Sequence, residues 1–600
     1  MHKLLIIAVL SGLIALGTVA CVAPYPVAPV PAPVNSPAEP TDADTEATLP
    51  AMATAESVDA IPIADEISGF VFDADGPVKN ATVRIQATEI MTTTGDDGAF
   101  KLVCLAVSEP PTLTVTAWSL GYYGGAANAL PGDDSVTIDL LRYSTEDNVD
   151  YQFAPSETCG ECHPSYLEWQ QDAHALSATN PRFLTLYQGT DVHGNRTRVK
   201  RDAAGLPLPL EPGQPDYGPG LRIDYPDRTG NCAACHTPAA SNLETTNTCG
   251  WAGCHTNFTA QMSDEVPYGV NPSDLKGVAA EGMSCDFCHK IGNVILNPQD
   301  DLPWAARPGV TSLQLFRPEE GHDLFLGSFD DVSGHDSFLP LQEESAFCAP
   351  CHHGIFGGVA GSHDMAGGVA VYDSYGEWLD SPYSDPETGQ TCQNCHMPSV
   401  DYAYYVYPEK GGLERDPKRI HNHLMPGIGD EYLMQNAVSM ETSAKSSGDQ
   451  VSVEVSISND QTGHHVPTGT PLRQMLLVVT ASDSEGNRLA LVNGPVLPGW
   501  TGDLAGQAGH YYVKVLKDRW SGEAPTAAYW REIELVEDTR LAAFETDTNH
   551  FTFAAPDGGP VTVEARLLYR RAPQELMIQK GWTDPDIIME ETTIVVPVSE

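Results

Sequence analysis

The residue types able to do chemistry are gathered in six short units between Cys159 and His396. Five have two cysteines separated by two residues, with a histidine immediately after: Cys159, Cys162, His163; Cys232, Cys235, His236; Cys285, Cys288, His289; Cys348, Cys351, His352; and Cys392, Cys395, His396. The sixth is stretched, with four residues between Cys249 and Cys254 before His255. Two thiols about one turn apart can bond the edge of a porphyrin while the next imidazole binds its iron, which is the attachment chemistry of a c-type haem. Zinc would need four ligands from two such pairs and gives the adjoining histidine no regular role. Disulfides and redox-active dithiols do not require that histidine either. Only 19 of 600 residues are His, yet one follows every second cysteine of the six units, so haem is the reading that uses all three positions. For the longer unit, closure as a disulfide stays open.

The elements that position these units follow from composition. Acidic residues outnumber basic ones by 81 to 32, a net charge of −49 that repels nucleic-acid phosphates and suits cationic partners. Twelve of the fourteen cysteines belong to the units, leaving Cys21 and Cys104, so no structural disulfide is needed. Residues 1–20 read as a signal peptide, and Cys21 follows Thr18, Val19 and Ala20 in a lipoprotein-like cleavage box, with lipidation of Cys21 expected. Residues 21–60 are rich in Pro, Ala and Thr and read as an extended tether from a membrane surface. Residues 61–147 alternate as short strands separated by turn residues and predict a β-sandwich in which Phe100, Leu102 and Cys104 share one face. Residues 150–435 hold the six units among long Gly/Pro/Asp-rich interludes, and a mainly α or irregular domain packed around haem is expected there, with helices near residues 165–174 and 374–379. Alternation returns over 440–600, where a second antiparallel β-sandwich is expected. The fold class is therefore multidomain, two sandwiches flanking a haem-packed domain.

Each haem takes one axial ligand from its own unit: His163, His236, His255, His289, His352 and His396. Twelve other histidines besides His2 are enough to give every iron a second imidazole. Two imidazoles close the iron for electron transfer, whereas an empty position permits substrate chemistry. Met365 and Met397 read as packing residues.

Two resemblances extend this reading. The pattern Gly69, Gly76, Pro77, Ala81 to Val83, Asp97, Gly98 and Phe100, ending at Gly121 and Tyr122, resembles the carboxypeptidase regulatory-like, transthyretin-related sandwich, which implies a spacer or adhesion module. The stretches Glu281–Lys290, Ser345–His352, Thr391–Pro398 and Gly463–Gly469 resemble multihaem cytochromes c of the superfamily around the tetrahaem cytochrome of ammonia oxidisers and hydroxylamine oxidoreductase. That likeness, over about residues 150–570, implies distal iron ligands at His174, His335, His423 and His464, with His421 competing for the place of His423 because Met425 stands where the family has an aromatic residue. His193 and His363 are the candidates for the two remaining irons. His322, His353, His465, His510 and His550 gain nothing from family position.

The expected function is electron transfer by a six-haem, lipid-anchored, extracytoplasmic cytochrome working between redox partner proteins or an extracellular acceptor, with no catalytic residue and low average potentials. One alternative is a multihaem oxidoreductase acting on small nitrogen or sulfur compounds at one open iron. Against it, no unit ends in Lys, the hallmark of cytochrome c nitrite reductase. The other alternative is a subunit of an extracellular cytochrome filament.

Overall fold

A computed structural model of the chain describes residues 64–105, 112–203, 208–227, 229–230, 232–242, 271–305, 309–360 and 365–597. The leader, the tether and Cys21, the unit Cys249, Cys254 and His255, and His363 lie outside the described residues. So do the side chains of Cys104 and Met365. From Ala64 onward the chain forms one compact unit.

Two small sheets lie at its N-terminal end. Ala64–Asp73 pairs antiparallel with Ala99–Leu105 and parallel with Val136–Asp139. The second sheet runs in the order Met91–Thr93, Thr82–Ile85, Leu113–Trp118, Gly125–Ala129. Alternate residues from both sheets, among them Ile67, Val71, Val83, Phe100, Leu102, Val115 and Ile138, form one apolar core. The parallel pairing explains Gly69: a Cβ there would stand 1.9 Å from the carbonyl oxygen of Val136.

This sandwich is fastened to the segment that carries His335. Arg84 pairs with Asp330 at 2.9 Å, the Ala87 amide donates to the Asp331 carboxylate at 2.7 Å, and the Trp118 indole donates to Ser337 at 3.2 Å. Asp331 in turn accepts from the buried Arg415 at 2.6 Å. The N-terminal sheets are thus tied to residues 330–337 of the middle of the chain.

The middle of the chain is built from one-turn helices, short two-stranded ribbons and loops, with small apolar clusters such as Phe153, Ala234, Phe287 and Val310 between them. Helix over Ser374–Leu379 matches the sequence expectation, whereas the expected helix over 165–174 stops at Trp169 and continues as turns. Asp172 accounts for the stop: its carboxylate accepts from the backbone N–H of His174 at 2.8 Å, a local bond that competes with the helical ladder.

The C-terminal part stacks two four-stranded sheets. One has the order Ser439–Ser447, Gln450–Ser458, Thr546–Ala554, Leu491–Asn493, and the other Gly509–Tyr512, Gln474–Ser482, Val561–Arg570, Ile587–Val596. Period-two burial along Gln450–Ser458 turns Val451, Val453, Val455 and Ile457 toward Met475, Leu477, Val479, Val563 and Leu567 of the facing sheet. Residues 459–473, which connect the two sheets, carry His464 to His396 of the last cysteine unit.

Candidate haem sites

Every described unit folds as a single helical turn. The carbonyl of the first cysteine accepts from the amide of the unit's histidine at 2.9 Å in Cys159–His163, 3.1 Å in Cys232–His236, 3.1 Å in Cys285–His289 and 3.1 Å in Cys348–His352, and Cys392–His396 is itself a helix. Positions i, i+3 and i+4 of a helix share one face. Both thiols and the imidazole of each unit therefore leave the turn on the same side, which is the arrangement a porphyrin edge and its iron require. All ten described cysteines of the units are free thiols, and among the described residues no three His, Cys, Asp or Glu side chains converge as a zinc site would need.

The imidazoles are pre-set for a metal. His163 Nδ1 lies 2.9 Å from the carbonyl oxygen of Tyr405, His236 Nδ1 3.0 Å from that of Ser177, His289 Nδ1 2.7 Å from that of Leu326, and His396 Nδ1 2.7 Å from that of Pro426. A carbonyl can only accept, so Nδ1 must carry the proton and the lone pair sits on Nε2, aimed away from the contact. Burial pushes three imidazoles below their ordinary range, to about 3 at His352, about 4 at His423 and about 4 at His464, where desolvation leads and neighbouring imidazoles add to it. Neutral rings with a free Nε2 are the form that binds iron.

Two pairs of imidazoles are neighbours. The ring centres of His396 and His464 are 6.3 Å apart with planes 13° from parallel, and those of His174 and His352 are 6.0 Å apart with planes inclined at 60°. With a metal–nitrogen bond of about 2 Å, two rings on opposite sides of one ion sit about 6 Å centre to centre. The outer nitrogens are again tied: His464 Nδ1 is 2.9 Å from the His465 carbonyl oxygen, and His174 Nδ1 is 2.7 Å from the buried Asp172 carboxylate. The residues present therefore fit a bis-imidazole haem at these two places.

The other sequence candidates divide. His423 is near enough to His289 that His289 disfavours charge on it, and its Nδ1 is held by the His421 carbonyl at 3.0 Å. His421 itself binds the Met397 carbonyl and stands beside Glu343. His335 and His163 both border Asp336. His193 is exposed on the Asp191–Asn195 turn. The ring stacked on His236 is Phe183, 3.6 Å away and 6° from parallel. One residue that the sequence reading passed over has a ligand-like setting: His353 is 5 % exposed with Nδ1 2.6 Å from the Asp373 carboxylate. Its position directly after a unit was the available signal.

The units are also neighbours of one another. The Cys159 thiol contacts that of Cys285, Cys235 contacts Cys351, and Cys348 contacts Cys392. Capping agrees with two of these contacts, because Ser156 accepts from the Cys285 amide at 3.3 Å and Ser345 from the Cys392 amide at 2.9 Å. Cys288 lies close to both Cys348 and Cys351. Five turns that are far apart in sequence thus form one connected array.

No protein family and no curated protein matches the sequence. Among solved structures, the chain is similar to a penta-haem cytochrome c552 from Thermochromatium tepidum at 18% identity and a TM-score of 0.46, over 75% of this chain and 100% of that one. A cohesin–X-dockerin complex from Acetivibrio cellulolyticus matches 13% of this chain and 58% of its own at 17% identity and a TM-score of 0.12. A PapD-like domain of human CEP192 matches 28% and 88% at 9% identity and 0.12.

Proposed function

We propose that the chain is a multihaem c-type cytochrome that carries electrons outside the cytoplasm, with one haem at each of the six cysteine units. The observation that carries this reading is the two neighbouring imidazole pairs, His396 with His464 and His174 with His352, at the separation that an ion between them would require and with each distal Nδ1 already engaged. Haem supplies one-electron chemistry, and the protein supplies axial ligands, packing and charge. By the same logic His423 serves the iron of His289, and His335 that of His163. The thiol contacts support a route from the Cys159 unit through the Cys285 unit to the Cys348 unit, with branches to the Cys232 and Cys392 units.

The acidic surface, at −49 overall, favours cationic faces on the redox partners. Acylation of Cys21 and the tether after it would hold the folded body at a membrane surface; among the described residues no helix is long and apolar enough to cross a membrane. The experiment is low-temperature electron paramagnetic resonance on the oxidised, purified protein combined with its intact mass. Covalent tetrapyrrole mass and low-spin ferric signals from the described units are expected. A colourless protein without added mass from a host competent in cytochrome maturation would overturn the reading.

One observation favours a second reading for a single unit. His236 is covered by Phe183 rather than faced by an imidazole in the described residues. An iron there with an open position would bind small ligands, and a high-spin signal that shifts on adding nitrite or cyanide would make that unit a site of redox catalysis.

A further inference from the structure

Three arginines meet where two strands of the C-terminal sandwich run out toward the haem units. The register pairs Gln474 with Arg570, so Arg473 and Arg571, one step further along each strand, stand opposite one another. Like charges directly across a strand pair repel. Arg182, from the helix Pro181–Gln188, joins them: it shares the Asp584 carboxylate with Arg571, at 3.1 Å through its own Nε and 3.3 Å from Arg571. Two guanidinium groups thus share one carboxylate, and a third, that of Arg473, is close enough to Arg571 to oppose its charge, in a chain whose overall balance is −49.

Their hydrogen bonding is also incomplete. Arg473 donates to the Thr468 carbonyl at 2.8 Å, but its Nε and that of Arg571 are buried without a partner, as are Thr470 Oγ1 and Gln474 Oε1 beside them. Leaving one such group buried and unpaired costs about 1–3 kcal/mol. Neighbouring Arg570 shows the contrast, since it is held by Asp586 at 2.7 Å and Asp503 at 2.8 Å. The position is specific as well. Phe183, Leu472 and Ala572, each adjacent in sequence to one of the three arginines, share an apolar cluster with Cys232, and Arg473 lies close enough to His352 to disfavour its protonation.

We propose that Arg473, Arg571 and Arg182 form the binding site for the carboxylate side chains of a haem, the one whose iron His352 holds. Haem carries its two carboxylates on a flexible edge, and planar guanidinium groups bind carboxylate in a forked geometry. The bound anions give the orphaned donors their partners and cancel the cross-strand repulsion. Positive charge at this edge favours the reduced state. The proposal rests on the haem reading above.

The test uses the full-length holoprotein with Arg473→Gln, Arg473→Lys and Arg571→Gln, each first weighed by intact mass for its haem content. In a redox titration Arg473→Gln is expected to lower the reduction equilibrium constant of one haem about tenfold, which is about 59 mV for one electron. Arg571→Gln should move the same haem, and Arg473→Lys should stay near the parent protein. Full haem mass with every midpoint unmoved in both glutamine variants would overturn the proposal. It would also be overturned if millimolar nitrite or phosphate shifted the parent spectrum and the shift vanished in Arg473→Gln, because the site would then hold a free oxyanion. If Arg473→Gln does not accumulate, Arg571→Gln, on a different strand, decides between the same outcomes. A parent protein without haem mass would instead defeat the cytochrome reading.

Discussion

If His174 and His352 hold one haem iron as proposed, Asp172 offers a direct measure of how far the protein sets its potential. Asp172 is 3 % exposed and its carboxylate lies 2.7 Å from His174 Nδ1, while the ring centre of His352 is 6.0 Å from that of His174. Counting across the ring to a metal held by Nε2, the carboxylate charge is about 7 Å from the iron, where a unit charge at an effective dielectric of about 20 is worth about 2.4 kcal/mol. At about 1.4 kcal/mol and 59 mV per tenfold for one electron, that corresponds to about 100 mV. The negative charge favours ferric iron, so Asp172→Asn should raise the midpoint of one haem by about 100 mV. The amide oxygen can still accept from Nδ1, so the haem should remain low-spin. A potentiometric titration of the holoprotein followed optically reads the shift, with intact mass confirming equal haem content. If no midpoint moves by more than about 20 mV, His174 does not ligate iron beside this carboxylate and the pairing with His352 is wrong.

Replacing His464 by alanine should turn one haem equivalent high-spin in the oxidised spectrum and speed hydrogen exchange over residues 459–469, because the same imidazole ties the sandwich to the array; an unchanged spectrum would count against the pairing with His396. The intact mature protein should carry six haem masses, whereas five would place Cys249 and Cys254 in a disulfide. Lys580 gives a pH prediction. Its ammonium is buried against the carbonyls of Thr185, Thr190 and Pro219, and burial lowers its pKa from 10.5 to about 7. Between those values the unfolded chain holds the proton that the folded chain has released, so stability rises with pH across that window, by at most about 1.4 kcal/mol per pH unit. Denaturant titrations of the parent and Lys580→Met should differ by that slope, and equal pH dependence would refute the buried, deprotonating lysine.

The local chemistry was legible in the sequence because it is local. Cysteine and histidine at i, i+3 and i+4 need one helical turn to share a face, and that turn needs nothing from the rest of the chain. The strands over 450–458 and 561–570 were readable for the same reason, since their period-two pattern lies within each segment, and 474–482 was readable as a continuous apolar run. Strands 439–447, 533–538 and 587–596 were missed: the first has no fully buried residue and the others one or two, so the apolar pattern is weak.

The sequence by itself determined that the thiols and imidazole of each regular unit would leave one helical turn on the same side. It did not determine which imidazole faces which, because His174 with His352, His396 with His464, and Arg473 with Arg571 are brought together across long stretches of chain by loop closure and strand register. Tertiary structure also decided that the N-terminal sandwich, through Arg84, Ala87 and Trp118, would brace the segment bearing His335. Spacing along a chain fixes what one turn can do, while the partner across a buried metal site is chosen by the packing of segments that carry no mark of one another.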